Sequence, residues 1–334
     1  MRRLISRLLL VLIIAALLIG IVIAWMLHAP VNMVRSPLEV EVPAGSSMRQ
    51  AARQVAAAGI EVSPLLLEVL ARASGQAHRV KAGSYEFVSG ANTLEILDKL
   101  VRGDATQGEF ALIEGWTFQR MRAEIAKLPG LKQEAPTLSD AELLARIGAK
   151  DTYPEGLFFP DTYFYATGGS DLALYRRAYQ AMQRRLVDAW ASRDASVPLT
   201  TPYEALILAS LVEKETGIEA DRPNVASVFY NRLSVNMPLQ TDPSVIYGMG
   251  ERFDGNLRRA DLTTDTAYNT YTRRGLPPTP IAMPGPAALR AALNPPRTNY
   301  LYFVARGDGS SEFSRNLEEH NRAVARYQKR GRKG

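Results

Sequence analysis

The sequence predicts an α+β protein: one apolar N-terminal helix, a small α/β region of short elements, and a larger mixed region arranged round a buried helix. Three observations carry that prediction. Leu8–Leu27 is a continuous apolar run without a charge. From residue 39 onward, short stretches of alternating polarity are separated by Pro/Gly turns from stretches with helical spacing. Further on, "YEALILASLVEKETG", residues 203–217, is apolar round most of a helix circumference.

The N-terminus comes first. "MRRLISR" precedes the run, and about 20 apolar residues at a rise of about 1.5 Å span a hydrocarbon core of about 30 Å. The run ends in "WMLHAP", which offers no small-x-small cleavage site, so a membrane-spanning helix at 8–27 is expected rather than a cleaved leader. Basic residues before the run place residues 1–7 in the cytoplasm and everything after it outside, at the cytoplasmic (inner) membrane surface. Residues 28–38 read as a linker.

"LEVEVPAGSS" alternates as a strand does and ends in a turn. "SMRQAARQVAAAGI" follows as a helix capped by Ser46 or Ser47, then "SPLLLEVLARASG" as a second with Pro64 at an early position. "VKAGSYEFVSGAN" reads as a pair of strands, and "NTLEILDKLVRGD" as a helix opened by Asn92 or Thr93. "GEFALIEGWTFQRMRAEIAKL" repeats strand, turn, helix. The division expected is therefore 39–105 for the small region and 106–334 for the main body.

Within the main body, "TLSDAELLARIGAK" is an amphipathic helix and "LALYRRAYQAMQRRLVDAWASR" a long one. "YPEGLFFPDTYFYATGGSD" between them is too rich in Pro, Gly and rings for a regular helix. After a further helix, "NVASVFYNRLSV", the stretches "LQTDPSVIYGMGERFDG", "AYNTYTRRGLPPTPIAMPGP" and "NPPRTNYLYFVARGDGSSEF" read as turns, short strands and loops.

Composition limits the chemistry. With 334 residues and 46% hydrophobic content the chain has enough material for real cores. It has no cysteine, so disulfides, thiol catalysis and cysteine–zinc sites are excluded. His28, His78 and His320 are far apart in sequence, so no metal and no cofactor is expected. Half of the formal charge of +6 sits on Arg2, Arg3 and Arg7, which leaves no basis for a nucleic-acid partner. There is no Ser-x-x-Lys, no Gly-x-Ser-x-Gly and no Walker loop.

The apolar helix at 203–217 carries two carboxylates near its end. Thr201, Pro202 and Glu204 form an N-terminal signature, so the helix runs from there to about Thr216, where Gly217 can stop it. At 100° per residue Ala205, Leu208, Ala209, Val212 and Thr216 make one stripe, with Glu213 on one flank and Glu215 on the other. A carboxyl in apolar surroundings holds its proton to higher pH, which suits a general acid. A carboxyl paired with Arg222 or Arg232 would instead be structural. Spacing alone does not choose between the two glutamates.

The β-turn-α-α-β rhythm of 39–100 resembles LysM-type glycan-binding modules. In the main body "EGLFFPDTY", "ASLVEKET", "VASVFYNRL", "MPLQTDPSVIYGMG", "TAYNTYTRRGLPP", "IAMPG" and "NLEEHN" occur in this order. Together they resemble the membrane-anchored endolytic lytic transglycosylases of bacterial cell walls, the MltG or YceG-like family. The resemblance implies cleavage of the β-1,4 bond between N-acetylmuramic acid and N-acetylglucosamine in peptidoglycan. The sugar's own 6-hydroxyl is the nucleophile, leaving a 1,6-anhydro end, and one glutamate serves as acid and then base. "KET" resembles the Glu-Ser that carries the acid in many lytic transglycosylases, which selects Glu215, with Glu213 beside the substrate. Gln240, Thr241, Asp242, Tyr268, Asn269, Thr270, Tyr271, Glu155, Asp161, Thr162 and Tyr163 are the further candidates for a polar, aromatic substrate groove. By resemblance the partners are glycan strands and class A penicillin-binding synthases. A muramidase using water, and a non-catalytic glycan-binding scaffold that recruits a synthase, are the alternatives.

Overall fold

The computed structural model describes residues 14–15, 17–18, 20–22, 24–43, 45–103, 107–166 and 169–328. It is an α+β protein. The chain forms two compact units. One runs to Phe110 and takes in Leu128–Lys132 and Phe164–Gly169; the other holds Ala111–Lys127, Gln133–Tyr163 and the chain from Ser170 on.

Residues 1–7 and much of the expected membrane span at 8–27 lie outside the described residues. Residues 14–28 are helical wherever they are described, and Ile14, Leu17, Leu18, Ile21, Val22, Trp25 and Met26 leave their side chains exposed. Among the described residues no helix is long and apolar enough to cross a membrane.

In the first unit β1 (Leu38–Val42) pairs antiparallel with β2 (Gly83–Phe87), with Val40 opposite Tyr85. The alternation in "LEVEV" turns Leu38, Val40 and Val42 inward. They meet α1 (Met48–Ala57), α2 (Pro64–Ala73) and α3 (Thr93–Arg102) through Ala51, Val55, Leu67, Ala71, Ile96 and Leu100. The helix starts follow their sequence signals. Ser47 closes a capping box with Gln50, Ser63 caps ahead of Pro64, and Asn92 boxes with Glu95. One expectation fails here: "VKAGSYEFVSGAN" supplies one strand, not two, because its partner is the distant β1.

β3 (Gln107–Ala111) pairs with β4 (Thr162–Ala166), and the chain passes between the units within each of these strands. The second unit then holds α4 (Phe118–Ile125), α5 (Asp140–Ile147) and the long α6 (Asp171–Ala191). At its centre lies α7 (Pro202–Glu215), entered by the Thr201–Glu204 capping box with Pro202 at its first position. Every residue from Ala205 to Glu213 is buried, because α6, α8 (Arg222–Ser234), α9 (Asp242–Met249) and α11 (Pro286–Leu293) pack round it. The helix ends without a left-handed glycine. Thr216 turns into extended backbone and its hydroxyl accepts from Ile218 N.

The stretch from Leu239 contains more helix than its turn-rich sequence suggests. "TDPSVIYGM" forms α9, since Pro243 sits within the first turn, where a missing N–H costs nothing. The short α10 (Arg259–Thr263) and α11 are also helices within this turn-rich region. A hairpin, β5 (Tyr302–Ala305) with β6 (Ser311–Ser314), and α12 (Leu317–Tyr327) complete the unit. Residues 329–334 of the basic tail lie outside the described residues.

Candidate active site

The buried helix α7 delivers Glu213 and Glu215 into different surroundings. Glu213 is 9% exposed and fully engaged: Arg222 Nη2 donates to its Oε1 at 2.8 Å and the Gly285 N–H to its Oε2 at 3.0 Å. Burial pushes its carboxyl up, while the Gly285 N–H and then the Arg222 charge draw it back down. The Glu114 carboxylate lies over Gly285, where a Cβ would come within 2.0 Å of its oxygen, and stands 3.8 Å from Arg222. Ser210, one turn back on α7, accepts from Ile281 N at 3.0 Å. Glu213 and Ser210 thus lace the "IAMPG" segment onto α7.

Glu215 has no such partners. It is half-buried and lines a cavity of about 540 Å³ together with Arg232, Gln240, Asp242, Tyr271, Tyr302 and His320. That volume is within the range of small-ligand sites. Burial is the main cause that pushes its carboxyl up to about 7; the neighbouring Asp242 charge adds to the rise, and Thr241 and Arg232 oppose it. The Thr241 hydroxyl is buried and meets no partner at full hydrogen-bonding geometry.

Two elements fix the cavity floor. Arg232 on α8 spends its donors on the carbonyls of Leu301 (2.7 Å), Pro238 (3.2 Å) and Leu239 (2.9 Å) and on Gln240 Oε1 (3.3 Å), with its guanidinium over the Tyr302 ring. Burial lowers its pKa. Its charge faces the cavity while its hydrogen bonds hold the 238–240 segment. Gln240 adopts a φ of 53°, a left-handed conformation costly for a side-chain-bearing residue, and its N–H donates to Thr270 O at 3.0 Å. Thr270 is the bolt of this corner. Its hydroxyl accepts from Thr241 N at 3.0 Å and meets Ser244 Oγ at 3.0 Å. With 240–241 pinned, Asp242 opens α9 at the cavity and accepts a 2.5 Å hydrogen bond from the Tyr271 hydroxyl. Burial and that bond both raise the Tyr271 phenol.

Of the residues singled out in the sequence, Glu215, Gln240, Asp242 and Tyr271 share this cavity, with Thr241 and Thr270 bracing it. Asn269 is committed elsewhere, its amide donating to the carbonyls of Asp261, Leu262 and Thr264 and its oxygen accepting from Tyr271 N. Tyr268 and Glu155 line a second cavity of about 800 Å³ that shares no lining residue with the first. Glu155 is 6% exposed, accepts from Phe118 N at the start of α4, and is pushed by burial to about 7. Asp161 and Thr162 are exposed, and buried Tyr163 donates to Phe159 O; none of the three lines either cavity. Tyr302, Ser311 and His320 enter the Glu215 cavity from the C-terminal hairpin and α12, a contribution foreshadowed only by the "NLEEHN" segment. The His320 ring stacks on Tyr302 at 5.1 Å, and burial next to Arg232 lowers its pKa. Among the described residues no group of acidic or histidine side chains could hold a metal ion.

Comparison with known proteins fits this layout. The YceG-like family model matches residues 40–326. A Bacillus subtilis protein named endolytic murein transglycosylase is 31% identical over 312 residues, covering 88% of this chain and 85% of that protein. A Streptococcus pneumoniae protein of the same name is 28% identical over 324 residues, covering 86% of this chain and 58% of that protein, so the chain spans little more than half of that relative. The crystal structure of a yceG-like protein from Listeria monocytogenes aligns with a TM-score of 0.55 at 31% identity, over 86% of this chain and 99% of that one. The match from residue 40 to 326, which takes in Glu215, Arg232, Gln240, Asp242, Tyr271, Tyr302 and His320, makes this protein a member of the YceG-like family.

Proposed function

We propose that this protein is an endolytic murein transglycosylase and that Glu215 is its acid and base. The observation that carries the assignment is the contrast on α7: Glu213 is held by Arg222 and Gly285, whereas Glu215 faces an open polar cavity with its carboxyl raised to about 7. A carboxyl with that affinity holds a proton at neutral pH and releases it readily.

The reaction runs in two proton transfers. Protonated Glu215 gives its proton to the glycosidic oxygen between N-acetylmuramic acid and N-acetylglucosamine, and the C1–O bond breaks. The resulting carboxylate takes the proton of the 6-hydroxyl as that oxygen bonds to C1, closing the 1,6-anhydro ring. No water is consumed and the enzyme returns to its starting protonation state. The positive charge that develops at C1 is met by Asp242 across the cavity and by the sugar's own N-acetyl group, a substitute for the second carboxylate of other glycosidases. Gln240 and Tyr271 supply polar contacts to the sugars.

The exposed apolar side chains from Ile14 to Met26, with the uncharged run they belong to, support an N-terminal membrane anchor that keeps the remainder outside the cytoplasm. The β1-α1-α2-β2 order supports a LysM-like glycan-binding role for the first unit. Class A synthases are the partners proposed, since strands cut while still growing are their product. The test is digestion of intact murein by the full chain and by its Glu215→Gln and Glu213→Gln variants, read by mass spectrometry. Anhydro ends from the wild type and from Glu213→Gln, absent with Glu215→Gln, are expected. Reducing ends would make the protein a muramidase, and no cleavage by a folded, glycan-binding protein would make it a scaffold.

A further inference from the structure

The cavity around Glu155 is larger than the one around Glu215 and has a different lining. Phe118, Tyr153, Tyr247, Phe253 and Tyr268 give it five rings, and Gln119 and Thr279 add polar groups. Tyr153 is 61% exposed, and the Tyr268 hydroxyl is fixed to Thr279 Oγ1 at 2.9 Å. Rings beside polar side chains form a surface suited to a pyranose, which offers C–H faces and hydroxyl edges together.

Charge narrows the choice of ligand. Among the described lining residues the only cation is Arg122, and its two terminal nitrogens are spent on Asp140 (2.6 Å) and on the carbonyls of Ala135 (2.7 Å) and Leu138. Arg122 and Asp140 neutralise each other, and Glu155, raised to about 7, leaves the lining neutral to weakly negative. Such a lining does not attract the carboxylates of a stem peptide, but it accepts hydroxyl and amide donors from a neutral sugar.

Distance gives the cavity a place on the substrate. Asp242 opens α9 in the Glu215 cavity, while Ile246, Tyr247 and Gly250 reach the second one. At about 1.5 Å per residue, Ile246, Tyr247 and Gly250 lie about 6 to 12 Å along the chain from Asp242, on the scale of one to two sugar units. The 268–271 turn runs alongside, with Tyr268 on the second cavity and Tyr271 on the first. A Cβ on Gly248 would lie 2.9 Å from Tyr268 Cβ, so α9 and this turn are in close contact.

We infer that the Glu155 cavity is a saccharide subsite, seating a neutral N-acetylated pyranose of the glycan strand one to two sugar units from the bond at Glu215. The inference rests on the transglycosylase reading for its strand but not for its binding chemistry. The test uses the full chain carrying Glu215→Gln, titrated calorimetrically with chitotetraose, a neutral β-1,4-linked N-acetylglucosamine tetramer, with and without Tyr153→Ala or Phe253→Ala. Each substitution is expected to weaken binding about five-fold. In the Glu215-intact chain each raises KM for murein by a similar factor, with the change in KM rather than kcat. The loss should shrink with chitobiose, which cannot reach both cavities. Undetectable chitotetraose binding, or affinity and KM indifferent to both substitutions, overturns the subsite. Binding that depends on Tyr153 in a protein that never cleaves murein keeps the subsite and removes the transglycosylase reading instead.

Discussion

Glu213 and Glu215 stand two residues apart on one helix, yet the protein treats them oppositely. Glu213 meets a guanidinium and a backbone N–H, and both of its oxygens are satisfied. Glu215 meets a cavity, a neighbouring carboxylate and a hydroxyl. Both carboxyls are raised by burial, so burial does not separate them; the partners do. A carboxylate built into hydrogen bonds and an ion pair fastens a loop. One left against a cavity is free to exchange its proton with whatever enters.

The largest effect should come from erasing the proton of one and keeping that of the other. Glu215→Gln is expected to cut turnover by about 10²- to 10⁴-fold, the usual worth of a general acid. Glu213→Gln should lose far less activity, because an amide oxygen still accepts from the Gly285 N–H. Stability offers a second readout of opposite sign. A carboxyl whose folded-state pKa is raised binds more protons folded than unfolded, so its burial destabilises as pH rises from about 4.5 towards 7. Glu215→Gln should therefore raise the melting temperature at pH 8 and do so much less at pH 5. Equal activity losses in the two variants would erase the contrast.

Arg222→Met attacks the contrast from the other side. It leaves Glu213 buried with only the Gly285 N–H for company. Removing one partner of a buried pair costs roughly 3–5 kcal/mol, here measured by urea unfolding at neutral pH. The same substitution should release the "IAMPG" segment from α7, detectable as faster amide exchange at Gly285. A variant as stable as the wild type would mean that the pair contributes no fastening.

The sequence made the helix and its capping box legible because local chemistry sets them: Thr201, Pro202 and Glu204 act within four residues of one another. It left the two glutamates unresolved because their partners are remote. Gly285 is 72 residues from Glu213, and Tyr302 and His320 reach the Glu215 cavity from a hairpin and helix near the C-terminus. The same reason explains β2, which looked like half of a local hairpin but pairs with a strand 45 residues earlier. The single groove expected from the motifs resolves into two cavities, since Tyr268 and Tyr271 leave one turn in different directions. Asn269, polar and in the right motif, turned out to be a staple for backbone carbonyls, a use that its residue type permits equally well.

The smallest effects are the most discriminating, because they retune Glu215 without removing it. The acid must be protonated in the free enzyme, so kcat/KM should fall as pH rises through about 7. Asp242 raises that carboxyl by its charge, and Asn at 242 can still accept from the Tyr271 hydroxyl. Asp242→Asn should then move the falling limb to lower pH, by about one unit or less. Thr241 acts in the opposite sense. Its hydroxyl favours the ionised carboxylate and has no other partner to strand, so Thr241→Val at nearly equal volume should move the limb to higher pH by a similar amount. Two limbs displaced in opposite directions, each absent from a Glu213→Gln control, would tie the titration to Glu215. Limbs that moved together, or stayed put, would assign the titration to another group.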